Sequence, residues 1–270
     1  MISALRHLGR RFTRRRGPDS VALALSGGAV LGAAHIGVLK ALEERQVPVS
    51  RLAGTSIGAF VAALYAFGKT PDEIADIVID LDWLDISRFT LSRFGLLSNS
   101  EMGKNITDVL GEVRIEDAPI PLSMIATDLS SGEMVVLEQG DVATAVMASA
   151  CLPGIFIPVE MGERLLCDGG LVENLPVSPL LKANAGYVIG VDLNARRRYQ
   201  RPNDIIDLMV NVVDISIDHA SRVQAKKVDL LITPELGTFS RTDTSRIAEL
   251  IDHGYKTAVK ALDAAGLKGP

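Results

Sequence analysis

Gly54-Thr55-Ser56-Ile57-Gly58 sets a serine between two glycines, with an apolar strand pattern before it and an apolar helix pattern after it. Small residues two before and two after the serine permit a sharp strand-to-helix turn. Such a turn lifts the hydroxyl clear of the backbone, where a substrate carbonyl can reach it. A pentapeptide of this kind arises by chance in long chains, so its meaning depends on partners elsewhere. A serine that attacks an acyl carbon needs a base for its proton and N–H donors for the developing oxyanion. The loop Ser26–Gly32 follows an apolar run and enters a helical pattern, with unencumbered N–H groups at Gly28, Ala29 and Val30. Loops at helix N-termini gather anions in this way, although a plain tight turn accounts equally well for such a loop taken alone. The loop has neither the lysine of a Walker A motif nor the spacing of a dinucleotide fingerprint.

The base is the harder assignment. His219 and His253 both fall within helical patterns, and only one strand–helix unit precedes Ser56. An α/β-hydrolase places its elbow after several such units and its histidine on a loop. Asp168 fits better: it follows the short strand pattern Arg164–Cys167, and Gly169 and Gly170 allow another segment to approach. A carboxylate touching the serine hydroxyl would act as base without histidine. Its ordinary pKa of about 4 is low for that task, and burial beside Leu166, Cys167 and Leu171 would raise it. Taken alone, Asp-Gly-Gly is also an ordinary turn.

The elements that must position these residues follow from the apolar pattern. Val21–Leu25 is a continuous apolar run of the buried-strand type, and helical spacing follows through Ala33, Ile36, Leu39 and Leu42. A second strand over about Val49–Ala53 leads to Ser56 and to a helix over Ile57–Phe67 that is apolar on nearly every side. Two such units argue for an α/β fold with a parallel sheet. Pro71 opens a further helix, with Asp72 and Glu73 in its first turn. Strands are expected at Pro121–Thr127, Glu133–Leu137, Tyr187–Asp192 and Asp229–Thr233, and helices at Asp141–Ala148, Pro202–Ala225 and Asp243–Ala265. Residues 83–97 combine Trp83, Phe89 and Phe94 with Arg88 and Arg93, the composition of a flap that meets lipid or of a loop packed on the core.

Composition sets the outer bounds. With 47% hydrophobic and 23% charged residues the chain is globular rather than disordered, and a net charge of −5 gives no reason to expect nucleic acid. Six arginines and no acid fall within residues 1–16, a basic arm before an acidic body. Ile2, Leu5, Leu8 and Phe12 share roughly one side of that arm, so it suits peripheral contact with an anionic membrane, or a solvated terminus. The expected organisation is an arm over 1–18 and one domain over 19–266. Cys151 and Cys167 read as buried thiols in a reducing compartment, and the four histidines do not cluster as metal ligands would. The uncharged stretch after Arg14-Arg15-Arg16 mimics a secretion signal, but its Ser26-Gly27-Gly28 and Gly32 would spoil an apolar helix. The stretch reads instead as core, and the protein as cytoplasmic with peripheral contact at the inner face of the membrane.

Ser26-Gly27-Gly28-Ala29-Val30-Leu31-Gly32, Gly54-Thr55-Ser56-Ile57-Gly58 and Asp168-Gly169-Gly170, in that order, resemble the three signatures of the patatin-like phospholipase family. His35-Ile36-Gly37-Val38-Leu39, Ala126-Thr127-Asp128, Ala148-Ser149-Ala150 with Pro153, and Asn174-Leu175-Pro176 extend the likeness over about residues 20–195. The resemblance implies a three-layer α/β/α fold with a mainly parallel central sheet. It implies a Ser56–Asp168 dyad that cleaves acyl esters of lipids or lysolipids through an acyl-enzyme. Gly27, Gly28, Ala29 and Val30 would form the oxyanion hole, with no cofactor and no metal. One position departs: the family carries arginine or lysine just before the last glycine of the oxyanion loop, where this chain has Leu31. The alternative that Leu31 and the basic arm suggest is a catalytically weak member serving as a regulatory or membrane-associated module.

Overall fold

A computed structural model describes residues 18, 20–80, 88–89, 97–195, 199, 201–203 and 205–268. The basic arm over 1–16 and most of the aromatic segment 83–97 lie outside the described residues. The first half of the chain forms β1 (Val21–Leu25), α1 (Ala33–Glu44), β2 (Val49–Thr55), α2 (Ile57–Ala66) and α3 (Pro71–Asp80). The two-residue strands β3 (Arg88–Phe89) and β4 (Leu97–Ser98) follow, then α4 (Ser100–Leu110), β5 (Leu122–Asp128), β6 (Met134–Leu137) and α5 (Val142–Ser149). The second half comprises β7 (Val159–Met161), β8 (Arg164–Asp168), α6 (Gly170–Glu173), α7 (Ser178–Lys182), β9 (Val188–Val191), α8 (Ile205–Gln224), β10 (Leu230–Ile232) and α9 (Ile247–Ala265). Among these, no helix is long and apolar enough to cross a membrane.

The main sheet has eight strands in the pairing order β10-β9-β1-β2-β5-β8-β7, in which β2 and β8 lie end to end along one edge of β5 and β6 pairs with its other edge. The run from β10 to β5 is parallel, while β6, β7 and β8 are antiparallel to their neighbours. Alternation along β1 divides two cores. Val21, Leu23 and Leu25 pack into the larger core with α1, α2 and α9, while Ala22 and Ala24 face the smaller one with Leu175, Val177 and Leu180. Helices thus cover both faces, the three-layer α/β/α arrangement expected, and small residues on the second face let α7 lie close.

The first two strand–helix units lie where the apolar runs predict them. Helix α5 starts where Asp141 accepts the Thr144 N–H at 2.7 Å, a side-chain cap. Helix α4 and strand β7 were not foreseen: α4 buries only Met102, Gly103 and Ile106, and β7 has three residues with Glu160 exposed. Leu97, the C-terminal end of the aromatic segment, is bonded on both sides to the apolar loop: its N–H donates to Ile155 O and its carbonyl accepts from Ile157, both at 2.9 Å.

Helices α1 and α9 cross at two glycines. A Cβ on Gly37 would lie 1.9 Å from the Ile251 carbonyl oxygen, and one on Gly254 would lie 1.9 Å from that of Ala34. Backbone cannot yield as a side chain can. Gly37→Ala and Gly254→Ala should each cost about 3 kcal/mol in chemical denaturation. Gly186→Ala, which meets nothing within 4 Å, should change stability by about 0.5 kcal/mol at most.

Candidate active site

The site is assembled on one edge of β5. Strand β2 pairs with Leu122–Ile125 of β5, β8 pairs with Ala126–Asp128, and β6 runs opposite Met124–Thr127. Because β6 overlaps both partners in register, β2 and β8 must share the other edge. Thr55 lies opposite Ile125 and Asp168 opposite the next residue, Ala126. The end of β2 therefore meets the end of β8, and Ser56 comes to Asp168 although more than a hundred residues separate them in sequence.

Ser56 sits at φ 56°, ψ −127°, a conformation that non-glycine residues adopt only when the surroundings hold them there. Those surroundings are tight. A Cβ on Gly54 would lie 2.5 Å from Ala59 Cα, and one on Gly58 would lie 2.2 Å from Leu25 O. Ser149 secures the turn from below: its hydroxyl accepts the Ser56 N–H at 2.9 Å and donates to Ile125 O at 2.6 Å.

Asp168, only 5% exposed, accepts a hydrogen bond from the Gly170 N–H at 2.7 Å and lies close enough to the Ser56 hydroxyl for that hydroxyl to stabilise its charged form. Its backbone is fixed by Thr127 Oγ1, which donates to its carbonyl, and by its own N–H, which donates to Cys151 O, both at 2.8 Å. Burial raises the carboxyl from 3.8 to about 6, opposed by the Ser56 hydroxyl, by the Gly170 hydrogen bond and by the charge of Arg241. A carboxyl so raised is charged near neutrality yet basic enough to take a hydroxyl proton during a reaction. Cys151 and Cys167 are buried beside it as free thiols, pushed up to about 12 chiefly by that burial, and are inert as nucleophiles.

The loop over Ser26–Gly32 lies against the serine: a Cβ on Gly27 would be 3.2 Å from Ser56 Cβ. Its four candidate donors are not equivalent. The Gly27 N–H is held by Asn174, through Oδ1 at 3.1 Å and the carbonyl at 3.3 Å, and the Val30 N–H donates to Arg241 O at 3.2 Å. The N–H groups of Gly28 and Ala29 have no protein acceptor among the described residues, and Ala29 is held at φ 52°. Other polar groups fix the loop's carbonyls. His35 Nε2 meets Ser26 O at 2.8 Å, Asn194 Nδ2 donates to Gly27 O at 2.9 Å, and Arg241 Nε donates to Gly28 O at 3.4 Å. Leu31 is buried in the larger core, so no cation could occupy its position without desolvation.

The family model for patatin-like phospholipase matches residues 23–181, a span that takes in the glycine loop, the elbow and Asp168. The chain belongs to the patatin-like phospholipase family. It is 40% identical over 186 residues to an uncharacterized NTE family protein of Mycobacterium tuberculosis, covering 67% of this chain and 51% of that one. It is 34% identical over 202 residues to patatin-like phospholipase domain-containing protein 6 of Mus musculus, covering 69% of this chain and 14% of that one. The chain thus spans about half the length of the mycobacterial relative and a small part of the mouse one. Among solved structures, VipD from Legionella pneumophila superposes with a TM-score of 0.64 at 15% identity, over 92% of this chain and 67% of that one. The type III effector protein ExoU superposes with a TM-score of 0.54 at 16% identity, over 93% and 54%. These two are likenesses of fold.

Within this patatin-like frame, two residues that the sequence did not single out flank the site. Arg241, in the loop between β10 and α9, brings a cation to the glycine loop from outside it and bonds Asp214 of α8 at 2.6 Å. Asn174 clamps Gly27 and donates to Ser221 Oγ at 3.1 Å, a role its place in the Asn174-Leu175-Pro176 likeness did not reveal. The described histidines are engaged with other partners. His35 is bonded to Ser26 O, His219 meets the Ile215 carbonyl on its own helix, and His253 stacks edge-on with Phe239 at 5.2 Å.

Removing the Ser149 hydroxyl would strip partners from the Ser56 N–H and the Ile125 carbonyl at once. Ser149→Ala should cost about 3 kcal/mol in denaturant unfolding. His35 is buried and lowered by desolvation from 6.5 to about 4, so the folded protein resists its protonation. Its contribution is complete above pH 6.5 and lost as pH falls toward about 4, a decline of about 3 kcal/mol at most. Unfolding free energies measured across that window should fall less steeply in His35→Gln than in the native protein.

Proposed function

We propose that the chain hydrolyses carboxylic esters of lipids or lysolipids, with Ser56 as nucleophile and Asp168 as its base. The observation that carries this reading is the meeting of Ser56, on its strained turn, with the buried Asp168 at the junction of two strand ends, beside a loop whose Gly28 and Ala29 N–H groups have no protein acceptor among the described residues. As Ser56 Oγ attacks the acyl carbon, Asp168 takes the hydroxyl proton. Negative charge then gathers on the former carbonyl oxygen, where the Gly28 and Ala29 N–H groups donate to it. Each such donor is worth about 3 kcal/mol in comparable sites. Asp168 returns its proton to the leaving alcohol as the C–O bond breaks, which leaves the acyl group on Ser56. Water then attacks the acyl-enzyme and gives its proton to Asp168, and that proton passes back to Ser56 Oγ as the fatty acid departs.

Lipid esters are the substrate class because the family model and the relatives point to them. The position of the Arg241 cation beside Gly28 and Asp168 is compatible with an anionic or polar headgroup, although the loop carries Leu31. Cytoplasmic placement and arm-mediated contact with a membrane remain expectations from composition.

A fluorophosphonate should label the purified protein at Ser56, as read by peptide mass spectrometry, and p-nitrophenyl esters and lysolipids should be turned over. The base form of Asp168 grows as pH rises through about 6, so kcat/KM should climb about tenfold per unit below that value and level off above it. Asp168→Asn should lower kcat about a thousandfold with Ser56 labelling nearly abolished. Full activity in Asp168→Asn together with its loss in His253→Ala would establish a histidine base instead. Absence of both labelling and turnover would leave a binding module on a hydrolase fold.

A further inference from the structure

Over residues 211–224, helix α8 buries Asp214, Ile217, Asp218, Ser221 and Gln224, one helical face by their spacing and mostly polar. They serve the site's surroundings: Asp214 holds Arg241, Ser221 accepts from Asn174, Gln224 accepts the Leu175 N–H, and Ile217 packs near Gly170. The opposite face carries Ile205, Leu208, Val212, Ile215 and Val223, each between 40% and 68% exposed. A helix of a globular protein normally buries its apolar stripe and exposes its polar one. Scattered exposed aliphatics need no explanation, but five aligned on one face mark an interaction surface.

Charge identifies what covers this stripe. Arg201 stands exposed before the helix, and Arg222, Lys226 and Lys227 stand exposed at its far end. The described acids of α8, Asp214 and Asp218, are turned inward. Two copies of the chain packed stripe to stripe would set basic ends against basic ends in either orientation, parallel or antiparallel. The spacing 205, 208, 212, 215 also reaches exposed His219 and Arg222 at the next seam positions, which ends any coiled-coil pattern after two heptads. An aliphatic stripe between cationic ends matches an anionic lipid surface, with side chains entering the acyl boundary and the cations meeting headgroups.

We propose that the outer face of α8 docks the protein on an anionic lipid bilayer. The surface is distinct from the N-terminal arm, and its use in substrate delivery rests on the lipid-ester reading above. Docking on this face would hold the layer of α6 and α8, which borders Asp168, next to the source of the substrate.

The test uses the full chain with Ser56→Ala, so that vesicle binding is read without turnover and stands or falls apart from catalysis. Cosedimentation should show binding to phosphatidylcholine vesicles containing phosphatidylglycerol and about tenfold less to phosphatidylcholine alone. Val212→Ser with Ile215→Ser should weaken binding to the mixed vesicles about tenfold. Lys226→Glu with Lys227→Glu, beyond the helix core, should do the same without touching its packing. Carried on the native Ser56 background, both double variants should keep the native melting temperature and the native rate on a short soluble ester. Unchanged vesicle binding in both variants would overturn the proposal and assign any binding to the arm. A dimer in sedimentation velocity that Val212→Ser with Ile215→Ser dissolves would overturn it in favour of a second copy.

Discussion

The site depends on a constraint of the β ladder: one edge of a strand can be shared by two partners only if they meet end to end. Strand β5 spends its first half on β2 and its second half on β8, with β6 along its other edge. The backbone hydrogen bonds of β5 are thereby satisfied on both sides, and the two chain ends at the junction have nowhere to go but out of the sheet. One leaves through the strained turn at Ser56, the other through Gly169 and Gly170 into α6. Ser56 and Asp168 are neighbours because the pairing on β5 leaves them no other position.

A second constraint is the accounting of polar groups around the glycine loop. A buried carbonyl or N–H without a partner is costly, so side chains from other elements claim several groups of Ser26–Gly32, and backbone claims others. His35, Asn174, Asn194 and Arg241 each hold one. What stays unclaimed is therefore informative. The Gly28 and Ala29 N–H groups have no protein acceptor among the described residues, and the strain at Ala29 belongs to the same arrangement. The loop is thus held in one conformation, the preorganisation that an oxyanion site would need.

Much of this was legible in the sequence, and the limits have physical causes. A continuous apolar run marks β1 because that strand is buried on both faces, while β2 is buried only over Leu52–Thr55, and the helix after Ser56 is apolar on nearly every side because it is buried nearly throughout. The three motifs name Ser56, Asp168 and the loop because such backbone geometry tolerates few residue types. Strand β7 is too short, and its Glu160 too exposed, to carry a pattern. The antiparallel pairing of β8 is a long-range choice that periodicity does not encode. For the same reason the sequence offers Gly27, Gly28, Ala29 and Val30 as equivalent donors. Only folding brings Asn174 and Arg241 to two of them. Arg241 itself sits in a loop without motif, and nothing in its neighbours distinguishes it from a solvated arginine.

The polar inner face of α8 follows from the site rather than standing beside it. Arg241 must be held close to Gly28, Asn174 must be aimed at Gly27, and the short helix after Asp168 needs its backbone satisfied. Those duties fall on whichever helix covers α6, and they call for carboxylates, hydroxyls and amides on its inner face. Over residues 211–224 the buried side is mostly polar, so the exposed Val212, Ile215 and Val223 do not belong to an inward-packing stripe. They lie outward, in water, at a cost in exposed aliphatic surface that selection for stability alone would remove by ordinary polar substitution. Their alignment on one face, bracketed by cations, is what a second role for the helix predicts. The element that arranges the polar groups behind the glycine loop would also turn the protein toward its substrate.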